Sequence, residues 1–203
     1  MLKADYIAKT LGRLNSGGIL PLSPLMEELS RVTVPDYLTD LAARPMDEIR
    51  VMRAECQQLE SGTSYVRRMA QGRLDIVGGE LARRRNGGEK GDLTELIGRL
   101  PELLTDQGPT STGTPRPPSE MKPAKGLTVE LEDELETILS AADISSVVDL
   151  DESVLAALVE RLEGFEHRVS NHRRSLFTTI DTLQAEITRR YKTGEANVDS
   201  LLS

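Results

Sequence analysis

At 203 residues, with two Phe, four Tyr and no Trp, the chain is long enough for one or two domains but has little aromatic bulk for a thick globular core. A formal net charge of −8, with acids and bases well mixed, argues against the basic field that direct DNA binding needs, and the single cysteine, Cys56, excludes an intramolecular disulfide or a thiolate metal cluster. Abundant Leu, Glu, Arg and Ala favour long helices packed along narrow seams, so the expected class is all-α.

Lys3, Asp5 and Lys9 interrupt any secretory pattern at the start, and no run of about eighteen apolar residues occurs. A cytoplasmic chain with no membrane attachment is expected. Residues 1–45 read as short docking segments. They comprise an amphipathic helix over Lys3 to Leu14 ended by Ser16-Gly17-Gly18, an apolar patch over Leu20 to Leu29 broken by Pro21 and Pro24, and Val34-Pro35-Asp36-Tyr37-Leu38. Residues 46–86 form a first long helix, opened by Asp47 after Pro45 and stopped at Asn86-Gly87-Gly88. Along it Cys56, Leu59, Thr63, Val66, Ala70, Leu74, Val77 and Leu81 recur at three- and four-residue steps, the seam of a coiled-coil-like helix. Cys56 on that seam reads as a small buried hydrophobe. Gly62, Gly72, Gly78 and Gly79 weaken the helix without breaking it. Residues 87–126 hold a short helix over Leu93 to Leu104 and a disordered Pro-rich linker from Gln107 to Gly126. Residues 127–151 hold an acidic accessory helix, Leu127 to Ala142, and a connection. Residues 152–192 form the second long helix, capped by Asp149 or Asp151, and 193–203 a polar tail.

The two long helices repeat one another at an offset of 106 residues. Glu60, Ser64, Arg67, Gln71 and Asp75 correspond to Glu166, Ser170, Arg173, Phe177 and Asp181. The same offset pairs Arg68 with Arg174, Glu80 with Glu186, Arg83 with Arg189 and Arg84 with Arg190. It also carries the seam onto Leu162, Phe165, Val169, His172, Leu176, Ile180, Leu183 and Ile187. At about 100° per residue the five polar positions stay within an arc of about 80°, giving a stripe about 22 Å long beside the seam. The pattern leaves parallel and antiparallel pairing open. Either gives an approximate two-fold relation between the copies.

These residue types suit a purine nucleotide. A carboxylate accepts the adjacent N–H donors of a guanine edge, while an arginine fork matches O6 and N7 or stacks on the ring. Glu60, Asp75, Glu166 and Asp181 are the candidate base readers, Arg67 and Arg173 the candidate stacking or edge-binding groups, and Ser and Gln hold ribose or phosphate. A duplicated motif suits a two-fold symmetric ligand. The competing reading is a ligand-independent coiled-coil scaffold or adaptor, because solvated Glu–Arg pairs at helical spacing are common and worth only a few tenths of a kcal/mol, about 0.2–0.5. An enzyme is not expected: Ser64 and Ser170 lack a base and oxyanion arrangement, and no phosphate-cradling Gly loop occurs. Nor is a metal site, since His167 and His172 stand about 140° apart on their helix.

The pattern Glu-x3-Ser-x2-Arg-x3-Gln-x3-Asp, complete at Glu60, Ser64, Arg67, Gln71 and Asp75, resembles the cyclic-di-GMP signature of the actinobacterial RsiG anti-sigma family. The resemblance covers residues 46–85 and 152–192. It implies an antiparallel coiled coil of two long helices with short accessory helices. Those helices would bind a stacked pair of cyclic-di-GMP molecules through Glu60, Ser64, Arg67, Gln71, Asp75, Glu166, Ser170, Arg173 and Asp181, with Arg68, Arg174 and Phe177 as further contacts. It also implies a WhiG-type sporulation sigma factor as partner, kept from RNA polymerase while ligand is bound. Phe177 departs from the Gln of the pattern and cannot make its hydrogen bonds. An aromatic there is expected to pack on the ligand or the seam.

Overall fold

The computed structural model describes residues 24–88 and 128–195. The helices expected over Lys3 to Leu14 and Leu93 to Leu104 and the Pro-rich linker lie outside the described residues, as does most of the tail. Helix α1 (Pro24–Thr33) leads through short 3-10 turns, Pro35–Leu38 and Leu41–Ala43, into the long helix α2 (Met46–Arg85). Helix α3 (Val129–Ile138) leads through a 3-10 stretch, Ala141–Asp149, into the second long helix, α4 (Glu152–Thr193). The described elements are all helical, and none is long and apolar enough to cross a membrane.

Local chemistry accounts for the ends of these elements. Pro24 starts α1, where its missing N–H costs no hydrogen bond, so the patch that the sequence shows as broken by proline is in part a helix. Leu25, Leu29 and Val32 form its buried face. Helix α2 carries Asp47 and Glu48 in its first turn and Arg83, Arg84 and Arg85 in its last, each charge matched to the nearer end of the helix dipole. The glycines inside it do not interrupt it. Gly87, at φ 89°, then reverses the chain; its amide donates to Arg84 O at 2.9 Å and that of Gly88 to Arg83 O at 3.0 Å, a Schellman ending. Helix α4 starts where the Asp151 carbonyl accepts the amides of Val154 and Leu155, both at 3.0 Å.

The described residues form two compact units. The first contains residues 67–88, with the end of α2, and residues 130–167, with most of α3 and the start of α4. The second contains residues 24–66, with α1 and the start of α2, residues 128–129, and residues 168–195, with the rest of α4. In the first unit Arg85 reaches Glu152 at 3.3 Å and Gln71 reaches Glu166 at 3.4 Å, so the helices run antiparallel. In the second, Arg50 bonds to Tyr191 and Arg173 to Glu60, again antiparallel. Every seam residue expected from the pattern is buried except Leu74 and His172, which are half-buried. Leu74 lines a pocket with Glu160, Glu163, Gly164, Glu166 and His167 of α4. In the first unit α2 packs on α3 and on the 3-10 stretch as well as on α4, and its buried face widens to take in Arg73, Ile76 and Glu80.

The repeat extends to the short elements. Position 73 and its counterpart 179 do the same task with different side chains, each supplying a donor to backbone carbonyls at the end of a short helix. Arg73 donates to Leu135 O at 3.0 Å and to Leu139 O, with Glu136 on its other nitrogen, and Thr179 Oγ1 donates to Val32 O at 3.2 Å. The duplicated Glu-x2-Arg-Arg does the same for the 3-10 segments. In the first unit Glu80, fully buried, accepts from Arg83 Nε at 2.8 Å and Arg84 Nε at 2.6 Å, and the Arg84 fork grips Val148 O and Leu150 O. In the second, Glu186 accepts from Arg189 at 2.9 Å and Arg190 at 2.7 Å, and Arg190 grips Leu41 O, Ala42 O and Arg44 O. Ala42 and Arg44 correspond to Val148 and Leu150 at the same 106-residue offset.

Arg84→Ala strips one cation from a buried carboxylate and two carbonyls of their donor, and is expected to cost about 3–5 kcal/mol. Arg189→Ala, at an exposed position, is expected to lower the urea midpoint less than Arg84→Ala does. Urea midpoints of the two variants check this. Hydrogen bonds from Arg189 and Arg190 depress the Glu186 carboxyl to about 2. A depressed carboxyl stabilises the fold above its unfolded pKa and loses that contribution as pH falls through the folded value. The urea midpoint should therefore fall less in Glu186→Gln than in the wild type between pH 5 and 2. Equal slopes contradict the assignment.

Candidate functional site

The polar stripes resolve into one cluster in each unit. In the second unit, α2 supplies Glu60 and Ser64 and α4 supplies Ser170, Arg173, Phe177 and Asp181. Ser64 Oγ donates to Glu60 Oε1 at 2.7 Å. Arg173 Nε is shared between Ser64 Oγ at 2.8 Å and Glu60 Oε1 at 3.2 Å. The same guanidinium lies over the Phe177 ring, its Cζ 4.7 Å from the centroid. In the first unit, α2 supplies Arg67, Gln71 and Asp75 and α4 supplies Glu166. Arg67 Nη1 and Gln71 Nε2 both donate to Glu166 Oε1, each at 3.4 Å. Each unit therefore joins the glutamate of one motif copy to the arginine of the other. Helical spacing places each group on its stripe, and antiparallel pairing within each unit brings opposite ends of the two copies together.

The two clusters differ in how fully their own groups satisfy them. Arg67 Nε is buried and has no hydrogen-bond partner among the described residues. Such a donor costs about 1–3 kcal/mol until an acceptor reaches it. Its companion bonds to Glu166 are long. Around Arg173, by contrast, Nε is doubly engaged while the Nη groups make no hydrogen bond among the described residues. Asp75 and Asp181, the remaining carboxylates of the stripe, are exposed and make no hydrogen bond among the described residues. Desolvation nevertheless raises the Asp75 carboxyl above the ordinary range. Ser170 is half-buried, and Arg68 and Arg174 are exposed.

His167 is exposed and His172 half-buried on the seam side of α4, where burial and Arg168 lower its pKa. Among the described residues, no three His, Cys, Asp or Glu side chains form a group able to hold a metal. Cys56 is fully buried, and desolvation raises its thiol pKa. Arg73 and Thr179 went unrecognised in the sequence although they occupy equivalent positions, because Arg and Thr share neither charge nor size. The informative signal lay further upstream, where Leu25, Glu28 and Leu29 correspond to Leu131, Glu134 and Leu135 at the same offset.

Magnitudes separate this site from the fold's supports. The Glu60–Arg173 and Glu166–Arg67 pairs are partly open to solvent, and exposed pairs contribute about 0–1 kcal/mol. A double-mutant cycle on Glu60→Ala and Arg173→Ala, measured by urea unfolding, is expected to give a coupling below about 1 kcal/mol that shrinks in high salt. A coupling as large as the cost of Arg84→Ala would make the cluster a structural element instead.

No curated protein matches the chain. A family model described as RsiG-like matches residues 35–104 and 141–203, regions that include both long helices and both clusters, and the chain belongs to the RsiG-like family.

Proposed function

We propose that this protein is a cyclic-di-GMP-dependent anti-sigma factor that holds a WhiG-type sporulation sigma factor away from RNA polymerase, with ligand bound by the duplicated stripe. The observation that carries the reading is the reciprocal exchange, Glu60 with Arg173 and Glu166 with Arg67. Each cluster offers a carboxylate to accept the N–H donors of a guanine edge and a guanidinium to bind O6 and N7 or stack on the ring. A ligand acceptor reaching Arg67 Nε also removes the penalty of a buried, unbonded donor. Ser64, Ser170 and Gln71 are the groups for ribose and phosphate.

Ligand binding then replaces Glu–Arg bonds between α2 and α4 with bonds from both helices to one nucleotide. A ligand held by both helices favours the helix arrangement that it fits, and a sigma factor that binds this arrangement must tighten ligand binding by the same factor. Exposed apolar side chains in the second unit, Val51 at 68% and Val34 at 45%, supply surface for such a partner.

Calorimetric titration with cyclic-di-GMP tests the reading. Arg67→Ala or Arg173→Ala each removes charge-assisted bonds worth about 1.5–3 kcal/mol, a loss of roughly tenfold to a hundredfold in affinity. Helix content should stay nearly unchanged. Equal loss of both, or no wild-type binding with or without sigma while the helices are folded, favours the scaffold reading.

A further inference from the structure

The fourth motif position is Gln71 in one copy and Phe177 in the other, and the two side chains act on different partners. Gln71 donates across to the Glu166 carboxylate on the opposite helix. Phe177 instead lies under the guanidinium of Arg173, one turn earlier on its own helix. A cation within about 6 Å of an aromatic centroid is attracted to the ring face, and a planar guanidinium also stacks on it. Arg173 is thus held at two places, by the ring on one face and by Ser64 and Glu60 at Nε. Both Nη groups stay without a partner among the described residues, and the Arg173 side chain is 36% exposed.

We infer that Phe177 is a positioning residue, fixing the plane of Arg173 so that a purine completes a three-layer stack of phenyl ring, guanidinium and base in the second unit, whereas the first unit steadies its carboxylate through Gln71. The inference rests on the nucleotide-binding reading and deepens it. Phe177 replaces the missing Gln by a different physical route. The two clusters are therefore unequal, with a stacked arginine in one and a hydrogen-bonded carboxylate in the other. Phe177 does not touch the ligand; Arg173 does.

Two measurements on the full chain test this, one of them independent of ligand. The Arg173 Nε–H proton, assigned by its disappearance in Arg173→Lys, is expected to exchange slowly and to carry a ring-current shift in the wild type. Phe177→Leu keeps an apolar side chain but has no ring, and should abolish the shift and speed exchange, whereas Phe177→Tyr should keep both. With cyclic-di-GMP, Phe177→Leu is expected to weaken one class of binding event about fivefold, the other staying within about twofold, and Phe177→Tyr to stay near wild type. Thermal melts followed by circular dichroism should coincide for the three proteins. If Phe177→Leu melts early, Phe177→Met takes its place. An Arg173 resonance that is the same with and without the ring overturns the inference, as does equal ligand binding by Phe177→Leu and wild type. A wild type with the shifted resonance but no nucleotide binding overturns the nucleotide reading and the base layer of the stack, leaving the Phe177–Arg173 contact.

Discussion

Helix pairing in this protein depends on arginine forks that take up backbone carbonyls ahead of each long helix. Arg84, near the end of α2, holds Val148 O and Leu150 O just before α4 begins; Arg190, near the end of α4, holds Leu41 O, Ala42 O and Arg44 O just before α2 begins. Within each unit this demands that the end of one long helix lie beside the start of the other, which is antiparallel pairing at a fixed register. A carboxylate shared between arginines, fully buried at Glu80 and half-buried at Glu186, makes each arrangement specific. Glu80 and Glu186 each accept from the arginine that does the gripping, so guanidinium, carboxylate and carbonyls satisfy one another. Burial alone would raise the Glu80 carboxyl pKa, but its bonds to Arg83 and Arg84 outweigh that effect and hold it below the ordinary range.

Depth divides the duplicated residues into two groups with different work. Glu80, Arg83, Arg84 and Arg190 sit in the interior, where losing a partner is expensive. Glu60, Arg67, Glu166 and Arg173 sit partly open beside the seam, where their mutual pairing is expected to contribute less. The same residue types and helical spacing thus support the fold at one level and offer exchangeable hydrogen bonds at another. Arg67 belongs to the second group although its Nε is buried and no described residue satisfies it.

The sequence made the long helices, the seam and the repeat readable because all three follow from helical periodicity. Cys56, Leu59, Val66, Leu162, Phe165 and Leu176 are buried as the spacing predicts. The pattern did not choose between parallel and antiparallel pairing, since a seam has no direction; contacts such as Arg85 to Glu152 fix the direction. Leu74 lies on the α4 side as the spacing predicts but stays half-buried at the pocket beside Gly164, which periodicity does not register. Of the stripe, the angular placement was legible and the connections were not. Which Glu meets which Arg depends on pairing, and spacing alone does not single out the contact between Phe177 and Arg173.

Co-purification of the full chain with a WhiG-type sigma factor, with and without cyclic-di-GMP, tests the central claim most directly. The account predicts that the two proteins elute as one complex when the nucleotide is present and separately when it is removed. Elution as the same complex in both conditions, or as separate proteins in both, would contradict it.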